Sequence, residues 1–219
     1  MFLACALVVA GCWAGGGSTR SDPADQAAHL PGPEEHIESI YVPARWASAV
    51  ASDIKTLGAS SDAVFVGRVV RLKEQRDEQL VSDVSEGSAA PVEGKPVREP
   101  AVFPVSVYEV RVEQTIAGGQ QPGAVVFIDQ AGGVTERADG SFVRLGLEGD
   151  EPLAVGERYL FFARERDNGN LSVAPFARLL VTGHGLEPLA SWSNLGAMQA
   201  LSGRSIAEAA SLIQAAGGR

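Results

Sequence analysis

Cysteine is almost missing from this chain of 219 residues: Cys5 and Cys12 stand near the start and none follows. No disulfide and no cysteine-bound zinc can therefore form in the bulk of the chain, which must be held together by burial alone. Histidine is scarce as well. His29 and His36 flank a Pro-Gly break and His184 lies between two glycines, so no H-E-x-x-H pair exists and no metal site is expected. Basic charge is in deficit, with 18 Lys and Arg against 27 Asp and Glu and a net charge of -9. A nucleic-acid partner, which needs a basic face to displace phosphate counterions, is not expected, nor is adhesion to anionic lipid by charge alone. No G-x-S-x-G is present. "AGGQQPG" (117–123) lacks the lysine of a phosphate loop and reads as a turn. No catalytic residue and no small-molecule cofactor are expected from these motifs.

Long hydrophobic runs are also lacking. The stretch of residues 2–11, FLACALVVAG, carries no charge and is almost wholly apolar. As a helix it would span only ~15 Å, half of a hydrocarbon core of about 30 Å. It is too short for a permanent span but suits the apolar part of an export signal. Val9-Ala10-Gly11-Cys12 resembles the bacterial lipoprotein signal, in which small residues precede a cysteine that becomes N-terminal and acylated after cleavage. No lysine or arginine precedes the apolar run, a departure from that pattern. The resemblance implies a signal peptide over 1–11 and Cys12 as the site of lipid attachment, carrying palmitate-type chains. Since each buried methylene contributes roughly 0.8 kcal/mol, two or more chains anchor stably. Residues 12–35, with Gly15-Gly16-Gly17-Ser18 and Pro23, Pro31 and Pro33, read as a flexible tether. Such a coil holds the folded part about 25–30 Å from its anchor. The expected location is the extracytoplasmic face of a bacterial membrane, with the membrane as one partner and a protein or envelope component as the other.

The rest of the chain is β-rich. A helix is expected over 44–57, where Trp46, Val50, Ile54 and Leu57 form one stripe between Pro43 and Gly58. "SDAVFVGRVVRL" (61–72) reads as a strand from Ala63 to Leu72, with Gly67 marking a bend or bulge. The polar segment 73–100, with its three prolines, reads as a long loop, disordered or binding. In the strand over 101–116 the apolar alternation changes phase, from Phe103, Val105 and Val107 to Tyr108, Val110 and Val112, as a β-bulge would produce. "AVVFIDQ" (124–130) reads as a strand buried on both faces. A hairpin turns at Asp139-Gly140 within 134–145, and strands 157–165 and 171–181 join across Asn168-Gly169. Tyr159, Phe161 and Phe162 are expected in the core, and Trp192 packed on it or exposed as a contact. Ser205 and Glu208 form a capping box for a last helix whose face carries Ile206, Ala209, Ala210 and Ile213 and which ends at Gly217-Gly218. The expected fold class is mainly β, a small antiparallel β-barrel over 36–182 with an N-terminal helix and a C-terminal helical segment at 183–219.

The succession "SDAVFVGRV", "YEVRVEQTIAGG", "PGAVVFIDQAGG", "LAVGERYLFFA" resembles the OB-fold domain shared by tissue inhibitors of metalloproteinases and netrin-like proteins, over roughly residues 60–182. The resemblance implies a five-stranded OB-like barrel whose first inter-strand loop and its neighbours bind partners. Inhibitor activity does not carry over. In that superfamily a free N-terminal cysteine caps the protease zinc and disulfides fix it, whereas here Cys12 would be acylated and no disulfide is available.

Acidic turns remain as chemistry. Glu148, Asp150 and Glu151 lie together, and Asp167, Asn168 and Asn170 crowd a second turn, yet neither matches a calcium loop. Three functions stay open: a non-catalytic binding module of the cell envelope, an envelope hydrolase with a carboxylate-based site, and an assembly protein pairing through an edge strand. Asp150 or Glu148 set against a second carboxylate would favour the hydrolase. A long, exposed, uncharged edge strand would favour assembly.

Overall fold

The computed structural model describes residues 38–42, 47–79, 102–137 and 139–217. Cys12, the leader, the tether, His29, His36, Trp46 and residues 80–101 lie outside them. The protein is mainly β. Its strands are β1 (Glu38–Val42), β2 (Ala63–Gln79), β3 (Val102–Ala117), β4 (Val125–Glu136), β5 (Phe142–Leu147), β6 (Arg158–Glu165), β7 (Leu171–Ser172), β8 (Arg178–Thr182) and β9 (Gly185–Pro188). Helices α1 (Ala47–Val50), α2 (Ile54–Ala59), α3 (Gly196–Leu201) and α4 (Ile206–Ala215) complete the set.

β2, β3 and β4 form an antiparallel meander, and β6 takes the free edge of β2. The second edges of β4 and β6 are each shared. β4 pairs with β7 at Ile128 and Asp129 and with β5 from Gly132 onward. β6 pairs with β8 over Tyr159–Phe161 and with β7 at Arg164 and Glu165. Because β7 runs parallel to β4 and antiparallel to β6, strands β2, β3, β4, β7 and β6 pair in a ring. β5 with β1 continues the sheet from β4, and β8 with β9 continues it from β6.

β2 is 17 residues long, which at ~3.3 Å per residue would reach about 56 Å if straight. Bulges let it curl instead. Its register against β3 shifts four times, and one shift sits where Leu72 faces Tyr108 and Glu74 faces Val107. The apolar phase of β3 changes at that same step, where Lys73 is the extra residue on the opposite strand. Gly67 adjoins another shift, and a Cβ there would lie 2.6 Å from Val110 Cγ1. Phe65 stacks on its register partner Phe161 at 5.4 Å, and Tyr159 meets Phe161 at 5.6 Å. These aromatics share one core with Leu57 of α2, Met198 and Leu201 of α3 and Ile213 of α4.

Several elements differ from expectation. In place of one helix over 44–57 there are α1 and α2, separated at Asp53, whose carboxylate accepts from Thr56 N at 2.7 Å. Aspartate favours that capping geometry over a helix interior. β2 continues through 73–79, residues expected in a loop. β4 is longer than 124–130, and Val125 at its start is exposed, so only Ile128, Asp129 and Gln130 are buried there. The single strand 171–181 is broken by a 3-10 turn at Pro175–Ala177. β1, β9 and α3 add elements that the sequence pattern did not announce. The Asp139-Gly140 hairpin forms with Glu136 facing Phe142, and the Ser205–Glu208 capping box is present.

Candidate functional site

The densest polar cluster lies where the end of β2, the middle of β4 and the β6–β7 turn converge. The turn is built locally. Gly169 has φ +81°, Asn168 Oδ1 accepts from Asn170 N at 2.9 Å, and Arg166 N donates to Asn170 O at 2.9 Å. That geometry aims both asparagine amides at Asp129, whose side chain is 1% exposed. Asn170 Nδ2 donates to Asp129 Oδ1 at 2.7 Å and Asn168 Nδ2 to Oδ2 at 3.3 Å. Two guanidinium groups complete the shell: Arg76 Nη2 at 2.6 Å and Arg166 Nη1 at 3.0 Å from Asp129 Oδ2. The same arginines grip Glu78, Arg76 at Oε1 and Arg166 at Oε2, each at 2.7 Å.

Two arginines thus pair the buried Asp129 and the half-buried Glu78, as partly buried charge requires, and Arg76 also reaches the more exposed Glu74 at 3.4 Å. Burial works against the charge of Glu78, but the hydrogen bonds from Arg166 and Arg76 outweigh it and hold its carboxyl below the usual range. Burial likewise opposes the Arg76 charge, and its bonds to Glu78 and Asp129 more than compensate, raising the guanidinium above its ordinary value. With its oxygens taken by four donors, Asp129 is poorly placed to act as a base. Asn168 and Asn170 spend their amides on Asp129 rather than forming the oxygen cage weighed from the sequence.

Beside this cluster opens a cavity of about 390 Å³, within the ~300–1,000 Å³ range of small-molecule sites. Phe103, Val105, Phe162, Val173 and Phe176 give it apolar walls, and Glu78, Asp129, Arg164 and Arg166 lie along one side. Its serines offer no activated nucleophile. Ser60 and Ser61 each donate to Leu57 O at 2.8 Å, and Ser172 donates to Arg164 O. His184 is exposed in the β8–β9 turn. Among the described residues, no three His, Cys, Asp or Glu side chains are grouped to hold a metal ion.

The acidic turn 148–151 resolves differently from expectation. Glu148 and Glu151 are exposed, while Asp150 turns inward to Arg178 at 2.8 Å, the two side chains 3% and 1% exposed. Arg178 Nη2 also donates to Glu151 O, and Gln130 Nε2 reaches the same carbonyl at 2.8 Å. Burial pushes the Asp150 carboxyl up despite the opposing pull of Arg178. Its partner is a guanidinium, not the second carboxylate that the hydrolase reading called for. Trp192 packs against the core, edge-on to Phe176 at 6.0 Å, with Nε1 donating to Gly149 O at 3.0 Å.

Arg76 and Glu78 were hidden in a supposed loop, and Asp129 and Arg178 in apolar strands. A lone charge inside "VVFIDQ" or "APFARLLV" was the available signal, since such residues are seldom buried without a partner. No protein-family model matches the chain, and no curated protein matches it either. Among the described residues, no helix is long and apolar enough to cross a membrane.

Proposed function

We propose that this chain is a lipoprotein of the bacterial envelope, held by acyl chains on Cys12 to the extracytoplasmic face of a membrane. Its folded part is an OB-type barrel, similar to that of metalloproteinase inhibitors and netrin-like domains, acting as a non-catalytic binding module. The barrel reading is supported by the ring order β2-β3-β4-β7-β6 with its parallel β4–β7 pair. OB-folds bind through the connection between their first two strands and the turn between their last two. Here those are the β2–β3 connection and the β6–β7 turn, and the turn's Arg166 lines the cavity. The observation that carries the binding role is this open apolar cavity beside carboxylates already neutralised by arginine. Such a site favours holding an apolar group over acid–base chemistry.

The full chain should bind the neutral dye N-phenyl-1-naphthylamine with a gain in fluorescence. Ala174→Phe, which places a ring in the cavity, should abolish the gain. No gain with the parent chain, or an equal gain with the variant, refutes the binding site. Lipid attachment is checked by mass spectrometry after expression in an exporting bacterium: acylated Cys12 at the N-terminus is expected, and an intact leader or free thiol counts against it. Assembly through an edge strand is the second reading, favoured by β1, where Ile40, Tyr41 and Val42 are 42%, 50% and 45% exposed. β1 has only five residues, and its Glu38 is tied to Arg137 at 2.9 Å, so the cavity remains the stronger candidate.

A further inference from the structure

We infer that the cavity takes a small amphiphile with one anionic head, a medium-chain carboxylate, whose head meets Arg164 and whose chain lies against Phe103, Val105 and Phe162. The inference rests on the binding role proposed above and names its ligand class. Among the described residues, four charged ones line the cavity: Glu78, Asp129, Arg164 and Arg166. Glu78, Asp129 and Arg166 belong to the network with Arg76, which also reaches Glu74 at 3.4 Å, so that both arginines of the network are paired with carboxylates. Their hydrogen-bonding oxygens and nitrogens are largely taken. Arg164 stands apart from that network, and its guanidinium makes no ion pair among the described residues.

Side-chain alternation places it on the cavity. Phe162, Arg164 and Arg166 follow one another at every second residue along the end of β6 and its turn, and all three line the same space. The apolar wall and the cation are therefore adjacent on one strand. Arg164 is exposed, so a ligand head would bind at the mouth in contact with water, leaving only the apolar body to be buried. An uncharged ligand would leave the guanidinium unused, and a cationic head would be repelled by it. The modest volume suits a single chain rather than a two-chain lipid.

Displacement of N-phenyl-1-naphthylamine from the full chain by dodecanoate, dodecanol and dodecyltrimethylammonium, each kept monomeric, tests the assignment. Dodecanoate should displace most strongly and dodecyltrimethylammonium least. Arg164→Ala should weaken dodecanoate roughly tenfold, as loss of one charge-assisted hydrogen bond would, and leave dodecanol unchanged. Arg164→Gln, which keeps the length of the side chain, should behave like the alanine variant and serves if that variant does not fold. Equal displacement by all three compounds, an unchanged dodecanoate affinity in the folded variant, or dye that none of them displaces overturns the inference while leaving the cavity as a binding site. Absence of dye binding to the parent chain instead removes the site itself.

Discussion

Replacing Asp129 by alanine is expected to destabilise the protein by about 3 kcal/mol. The carboxylate accepts from Arg76 at 2.6 Å, Asn170 at 2.7 Å, Arg166 at 3.0 Å and Asn168 at 3.3 Å. Hydrogen bonds to a charged group are worth about 1.5–3 kcal/mol each, but they act as one network and do not add. Removing one partner of a buried ion pair costs about 3–5 kcal/mol because the other charge is stranded. The arginine side chains here are 27% and 34% exposed and keep Glu78, so water and that second carboxylate absorb part of the loss. The lower end of the range applies. With a urea slope of roughly 2 kcal/mol per molar, the midpoint of unfolding should fall by about 1.5 M with the slope unchanged. Glu78→Gln, at a position 24% exposed, should cost about 1 kcal/mol or less. If Asp129→Ala lies within about 0.5 kcal/mol of the parent, or costs less than Glu78→Gln, the network is not what holds the β2 end to the β6–β7 turn.

Gly185→Ala should cost about 3 kcal/mol or more in thermal or urea unfolding, since φ is +120° and the new Cβ would lie 2.6 Å from Gly203 O. Gly169→Ala, with φ +81° but open space around it, should cost only about 1 kcal/mol; equal losses would show that the backbone contact is irrelevant. Asp150 has its folded-state carboxyl raised by burial, so as pH rises above the ordinary carboxylate range the unfolded chain releases its proton first and stability falls. That decline should run from near pH 4 up to the folded-state value and should vanish in Asp150→Asn, which is itself less stable because Arg178 loses its buried partner; a parallel pH profile in the two proteins contradicts the shift. Trp192→Phe should lower stability by about 1 kcal/mol through loss of the bond to Gly149 O, measured by urea unfolding followed by circular dichroism.

Local rules were legible in the residue order. Asp139-Gly140 and Asn168-Gly169 set their turns because both glycines adopt positive φ, at +82° and +81°. Ser205 and Glu208 set a helix start, and the change of phase in β3 announced a bulge, although the extra residue, Lys73, belongs to β2. Each of these depends on neighbours within a few positions, so periodicity and turn chemistry suffice.

The candidate site was a different matter. Asp129 looked like one residue of an apolar strand, and Arg76 and Glu78 looked like loop, because the partners that join them across the fold lie 37 to 88 positions away. Asp150 read as one of three acids in a turn, and only the fold sets it against Arg178 in the interior. By itself the sequence determined the β-rich character, the turns and the capping of α4, which arise from backbone preference and side-chain alternation. Only the tertiary structure decided that β7 joins β4 to β6 and that the charges pair off, leaving Arg164 beside an apolar cavity. The physical reason is that strand pairing and charge neutralisation are contacts in space, and the same local pattern is compatible with many choices of partner.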